Sequence, residues 1–173
     1  GEITRIFNLE ENLNQSRAAG VDATVAYGLE EPLGIPGDFD FRLVYSYIDK
    51  LETTFLGPTG QLVTQTDAGE VGASKHQWRG TVSWDEGPWR VRWTTKYLSS
   101  ASDDIDLAKD DPSYLRVDPW MRSDLYVQYT IKGDDGQRTR LFAGVNNIFH
   151  DYGPYLPADT NSGGDRGYNS AYD

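Results

Sequence analysis

The stretch HQWRGTVSWDEGPWRVRWTTKYL, His76 to Leu98, decides the architecture of this chain. Trp78, Gly80, Val82 and Trp84 alternate with Gln77, Arg79, Thr81 and Ser83. After the turn-forming residues Asp85, Glu86, Gly87 and Pro88, the rhythm resumes with Trp89, Val91, Trp93 and Tyr97 against Arg90, Arg92, Thr94 and Lys96. Successive side chains of a strand point to opposite faces, so a period of two around such a turn predicts a hairpin with one apolar and one polar face.

The same rhythm runs outward in both directions. Asp38 to Ile48 sets Phe39, Phe41, Leu43, Tyr45 and Tyr47 against Asp38, Asp40, Arg42 and Ser46, with Val44 as the exception. Upstream, Val21, Ala23, Val25, Tyr27 and Leu29 alternate with Asp22, Thr24, Ala26 and Gly28. Downstream, Met121 to Ile131 and Thr139 to Val145 repeat the pattern, and a weaker run, Glu2 to Phe7, reads as one further strand. Arg122 and Asp124 fall on the polar side of the first of these runs, and Arg140 on that of the second.

The joins alternate as well. Glu30 to Gly37, Asp85 to Pro88 and Lys132 to Arg138 are short, whereas Asp49 to Lys75, Ser99 to Trp120 and the tail from His150 are long. Antiparallel neighbours return to the same edge at every second join, so all long segments share one edge. Short turns at one edge and long loops at the other are the pattern of a membrane β-barrel wall, whose long loops are extracellular. Trp78, Trp84, Trp89, Trp120, Tyr47 and Tyr97 near strand ends suit its interfacial aromatic girdles. A soluble β-sandwich serving as a glycan-binding or adhesion module shares the alternation and is the alternative. It accounts less well for long unstructured joins at alternate positions.

Composition leaves a barrel open and closes other routes. The hydrophobic fraction is 38% and mean hydropathy is -0.62, but a barrel strand needs an apolar residue only at every second position. No segment approaches the roughly 18 apolar residues of a membrane helix. A net charge of -11 argues against a nucleic-acid partner. There is no cysteine, so disulfide and thiolate chemistry are absent. His76 and His150 stand at strand ends without a Ser, His and Asp set, so no catalytic residue, metal site or cofactor is expected. The carboxylate pairs Asp38 with Asp40 and Asp103 with Asp104 read as solvating charge rather than a glycosidase pair. The run from Asp159 to Asp165 starts like a calcium loop, but its twelfth position is Ser170, where an acidic ligand is required.

Several segments resemble TonB-dependent outer-membrane receptors. Gly144 to His150, GVNNIFH, resembles the GVNNLFD strand end of that family, and Asp124 to Tyr129 resembles its D(L/V)xxxY strand. Asn8 with Gly20, Val21 and Asp22 resembles the N…G-(V/I)-E strand start, with Asp where Glu is usual. Lys75, His76 and Gln77 resemble the PxH strand start without its proline, and Tyr172, Asp173 the beginning of the final-strand segment. The style of the tail, Gly153-Pro154-Tyr155 and Gly163-Gly164-Asp165, is most similar to the alphaproteobacterial type.

The resemblance implies an all-β antiparallel transmembrane wall, six to seven strands of a barrel of about 22. Residues 1–173 then read as a partial barrel domain, without plug or last strand. It further implies the outer membrane of a Gram-negative bacterium and energy-coupled uptake of a siderophore, oligosaccharide or similar bulky nutrient. Implied partners are the lipid, the plug with the rest of the barrel, and TonB through the plug. With aromatic faces toward lipid, Arg42, Arg79, Arg90, Arg92, Lys96, Arg122 and Arg140 face the lumen, where they attract an anionic solute or pair with acidic groups of a plug. Tyr114, Tyr152, Tyr155 and Tyr168 in the long segments are the expected extracellular ligand contacts. Deleting Ser102 to Asp111 in the full receptor should lower uptake and leave folding intact; uptake and binding unchanged across a panel of ligands would remove this segment from the mouth.

Overall fold

A computed structural model describes residues 14–106 and 116–154. Among these the strands are β1 (Gln15–Glu30), β2 (Asp38–Leu56), β3 (Leu62–Thr66), β4 (His76–Glu86), β5 (Trp89–Leu98), β6 (Ala101–Ser102), β7 (Arg116–Val117), β8 (Trp120–Lys132) and β9 (Arg138–Val145). The only helical element described is one 3-10 turn, Pro32–Gly34. One sheet runs in the order β1-β2-β4-β5-β8-β9, with β3 paired on the far part of β2. Every pairing in it is antiparallel. The run Glu2 to Phe7 lies outside the described residues.

The register carries one apolar face across all six strands of that order. Leu43 pairs with Val25 and Gly80, Tyr45 with Ala23 and Trp78, and Phe41 with Tyr27 and Val82. Further along, Trp93 pairs with Val82 and Leu125, and Val127 with Val91 and Ala143. A slip by one residue at any pairing would turn a strand's apolar set to the wrong face. The few polar groups on this face bond one another: Trp93 Nε1 donates to Thr95 Oγ1 at 2.9 Å, and the Thr95 and Ser123 hydroxyls lie 2.9 Å apart.

No second layer covers this face among the described residues. The other sheet is the two-residue pair of β6 and β7, so Phe39, Phe41, Leu43 and Tyr45 meet no opposing strands and the sandwich does not form among the described residues. Val25, Tyr27, Phe41 and Leu43 remain exposed, and among the described residues the buried apolar side chains are Ala68 and a cluster of Leu98, Ala101, Val117 and Trp120. A water-soluble monomer does not leave so large an apolar sheet bare.

The short turns form as the sequence requires. Glu86 pairs with Trp89, leaving Gly87 and Pro88 as a two-residue loop, and Gly87 supplies φ +54°. Lys132 pairs with Arg138, and Gly133 N donates to Gln137 O at 2.9 Å. Glu31 N donates to Gly37 O at 3.0 Å around the 3-10 turn.

Two expectations need correction. Asp49 to Lys75 is not a loop throughout: β2 continues to Leu56 and folds back through β3, while β1 starts at Gln15 to pair with it. A register shift between Ala19 and Gly20 leaves Asp49 unpaired and reverses the parity of β2 beyond it, which broke the alternation that announces a strand. Trp120 does not belong to the aromatic girdle. It pairs with Leu98 on the opposite face and is 5% exposed in the loop-side cluster.

Beyond Asp49 the paired β1, β2 and β3 outrun the roughly 9 to 11 residues that a membrane strand needs. The bulge depends on Gly20, where an added Cβ would overlap the Tyr47 carbonyl oxygen, whereas at Gly28 the nearest atom is Asp40 Oδ1 at 3.5 Å. Gly20→Ala should therefore cost about 1 to 3 kcal/mol, and Gly28→Ala far less. Reversible unfolding of the full receptor in lipid checks the pair; equal costs would mean that the bulge does not require a glycine.

Candidate functional site

The face opposite the apolar one collects most of the basic residues of the main sheet. All seven expected there, Arg42, Arg79, Arg90, Arg92, Lys96, Arg122 and Arg140, share it by register. Arg42 pairs with Thr81, Ser83 with Arg92, Asp85 with Arg90, and Thr130 with Arg140. Arg79 pairs with Lys96 and Lys96 with Arg122, which aligns three cations across β4, β5 and β8. Like charges directly opposite are unfavourable in a sheet. Two local contacts offset this: Arg122 Nε bonds Asp124 Oδ1 at 3.1 Å, and Lys96 Nζ sits 5.4 Å from the centre of a Trp120 ring.

Charge is divided along this face. The strands β1 and β2 contribute Asp22, Glu30, Asp38 and Asp40, while β5, β8 and β9 contribute most of the cations. Lys132 and Arg138 join the basic side at its turn edge, where they pair with each other. Both fall within the turn-rich join Lys132 to Arg138, and their even spacing from Thr130 and Arg140 is the sequence signal that places them on this face. Phe142, 73% exposed, stacks on Tyr126 within the same face at 6.4 Å.

At the long-loop edge the wall is tied to its loops by one carboxylate. Asp124 Oδ1 also accepts from Asn147 N at 2.8 Å, so it joins β8 to the turn that ends β9. Asn147, at φ +53°, holds that turn twice: its side-chain nitrogen donates to Asp151 O at 3.0 Å, and its side-chain oxygen accepts from Asp151 N at 3.0 Å. Trp120 Nε1 donates to the same Asp151 O at 3.2 Å. These bonds give a structural reason for Asn147, the second asparagine after β9. The second asparagine tolerates the left-handed backbone and supplies both a donor and an acceptor.

Loop residues on the same edge form a small polar cluster. Glu70 has its carboxyl pushed above the ordinary range, first by burial; the Ile105 N–H donating to it opposes the shift, and Asp67, Asp104 and Asp106 add to it. Nearby, a cavity of about 400 Å³ is lined by Lys75, His76, Ser99, Ser102 and Arg116, among others. The His76 ring lies against Tyr47 at 5.0 Å, and its Nδ1 is 2.8 Å from the Tyr45 hydroxyl, so it serves the aromatic rim rather than a catalytic set.

Of the four expected ligand contacts, Tyr152 stands at this edge and is 75% exposed. Tyr114, Tyr155 and Tyr168 lie outside the described residues, as does the loop from Asp159 to Ser170.

A family model described as TonB dependent receptor-like, beta-barrel matches residues 3–148. No curated protein matches the chain, and no solved structure does.

The Asp124 anchor is open to test. Asp124→Ala should cost about 1.5 to 3 kcal/mol because it removes two charge-assisted bonds, and Asp124→Asn should cost less because an amide oxygen still accepts. Faster hydrogen exchange at the Asn147 amide in the alanine variant checks the assignment, and unchanged exchange there would refute it.

Proposed function

The chain belongs to the TonB-dependent receptor β-barrel family, a family of outer-membrane transport receptors, and from that premise we propose that it forms part of the wall of a receptor for energy-coupled uptake of a bulky nutrient through TonB. The observation that carries this reading is the two-faced register shared by β1, β2, β4, β5, β8 and β9 on the turn side of the bulge at Asp49, with a bare apolar face and a charged face on a single layer of sheet. Such a layer is stable where lipid covers one face and a watery or plugged lumen the other. Aromatic residues bound the apolar face at both ends: Trp84, Trp89 and Tyr129 near the short turns, Tyr47, His76, Trp78 and Tyr97 near the long loops. Trp89 and Tyr97 at the ends of β5 are about 27 Å apart at roughly 3.4 Å per residue. Allowing for strand tilt, this suits an apolar band about 25 Å tall.

On this reading the seven basic residues line the lumen, and Tyr114, Tyr152, Tyr155 and Tyr168 belong to the extracellular mouth. Residues 1–173 are a portion of the barrel domain of a Gram-negative receptor of alphaproteobacterial type, whose remaining strands complete the wall and whose plug fills the lumen. The cargo is a siderophore, an oligosaccharide or a nutrient of similar bulk. Growth of a strain carrying the complete gene product, supplied with an iron chelate or with an oligosaccharide, separates these.

The membrane placement has its own test. Val127 faces the apolar side in mid-strand and Gln128 the other. Val127→Arg in the intact receptor should cost about 2 to 4 kcal/mol near the midplane, and Gln128→Arg much less. Equal costs in reversible unfolding from lipid would contradict the assignment of faces.

A further inference from the structure

We infer that the turn-edge corner of the charged face is a docking site for an acidic, extended peptide segment. A concavity of about 250 Å³ opens there, and its charged lining is Arg90, Lys132, Arg138, Arg140 and Asp85. Four cations thus surround one carboxylate, in a chain whose net charge is -11. Asp85 is already bonded to Arg90 Nε at 2.5 Å. The turn between β8 and β9 adds Asp134 and Asp135, but neither forms an ion pair with these cations among the described residues. Asp135 instead accepts from Gln137 N at 3.3 Å. Lys132 lies directly across from Arg138, a repulsive pairing that the free sheet bears and a bound anion removes.

The spacing of the cations selects the shape of the anion. Arg138 and Arg140 are two residues apart on β9, about 6.8 Å at strand rise, and Arg90 on β5 lies two strands away, roughly 9.5 Å. A single phosphate or carboxylate cannot touch all of them. An extended peptide presents every second side chain on one side at the same interval of about 6.8 Å. Alternate Asp or Glu residues therefore match Arg138 and Arg140, with Lys132 on the adjacent strand β8 and Arg90 one strand further, on β5. Arg90, Lys132, Arg138 and Arg140 are all exposed; Arg90 Nε is held by Asp85, and the charged groups of the other three, unpaired among the described residues, can meet such a segment.

The short-turn edge is periplasmic only on the transport reading, whereas the docking itself does not depend on it. Uptake and peptide binding can accordingly fail independently. The test is titration of the full receptor in detergent micelles with a hexaglutamate peptide, followed calorimetrically. Binding should weaken with added salt and fall by about tenfold or more in Arg138→Ala/Arg140→Ala. Lys50→Ala, at the opposite edge of the sheet, should bind as the unmodified receptor does. Inorganic phosphate at equal charge should leave the peptide bound. Heat-modifiable electrophoretic mobility reports whether each variant is folded; should the double variant fail to fold, Lys132→Gln must weaken binding in its place. Absence of peptide binding, undiminished affinity in the variants, or displacement by phosphate, which would mark a point-anion site, each overturns the inference.

Discussion

Every backbone N–H and C=O in the spanning part of this chain has to be satisfied by a neighbouring strand, because hydrocarbon offers no partner. That requirement makes the antiparallel ladder from β1 to β9 the feature on which the rest depends. Exposure grades across the sheet because the end strands have a neighbour on one side only. Residues of β1 and β9 are almost all exposed, while those of β4, β5 and β8 are mostly half-buried. The outer edges of β1 and β9 have no partner among the described residues, and an open edge in lipid is costly. Further strands of the same wall are what such edges require.

The ladder fixes parity, and parity sorts the chemistry. Once Trp78 is paired with Tyr45 and Tyr97, Arg79 has to stand beside Val44 and Lys96 on the other face. The row of Arg79, Lys96 and Arg122 is thus a by-product of holding the apolar face together. Its local offsets are Asp124 on Arg122 and the Trp120 ring under Lys96. At the turn edge no equivalent set of carboxylates among the described residues meets Lys132, Arg138 and Arg140, so the charged face described is least balanced where the concavity lies.

At the other edge the sheet does not simply end. The bulge at Asp49 carries β1 and β2 onward, β3 doubles back along β2, and Leu98, Ala101, Val117 and Trp120 bury one another on the charged-face side. This is the principal apolar cluster described, and it anchors loops rather than the wall. Burial of Trp120, whose Nε1 reaches Asp151, also links the end of β5 to the turn after β9. Loop geometry at this edge therefore rests on conventional packing, unlike the strands below it.

The six principal strands, their two faces and the short turns were legible in the sequence because they depend on local physics. Side chains alternate along any strand, and Gly87, Gly136 and the aspartates around them favour tight turns wherever they occur. The seven basic residues could be assigned to one face for the same reason. Tertiary structure alone decided what depends on a partner strand. The extension of β2 was hidden because the bulge opposite Gly20 shifts its phase, and a phase shift has no signature in one strand read alone. Trp120 looked like a girdle residue because its side chain is aromatic and its strand begins there; only its pairing with Leu98 placed it on the charged face. Lys132 and Arg138 read as turn residues until the ladder carried them into the sheet. Residue alternation determined the faces of this protein by itself, whereas register, bulge and the meeting of distant loops required the assembled sheet, because each is set by contacts between residues far apart in the chain.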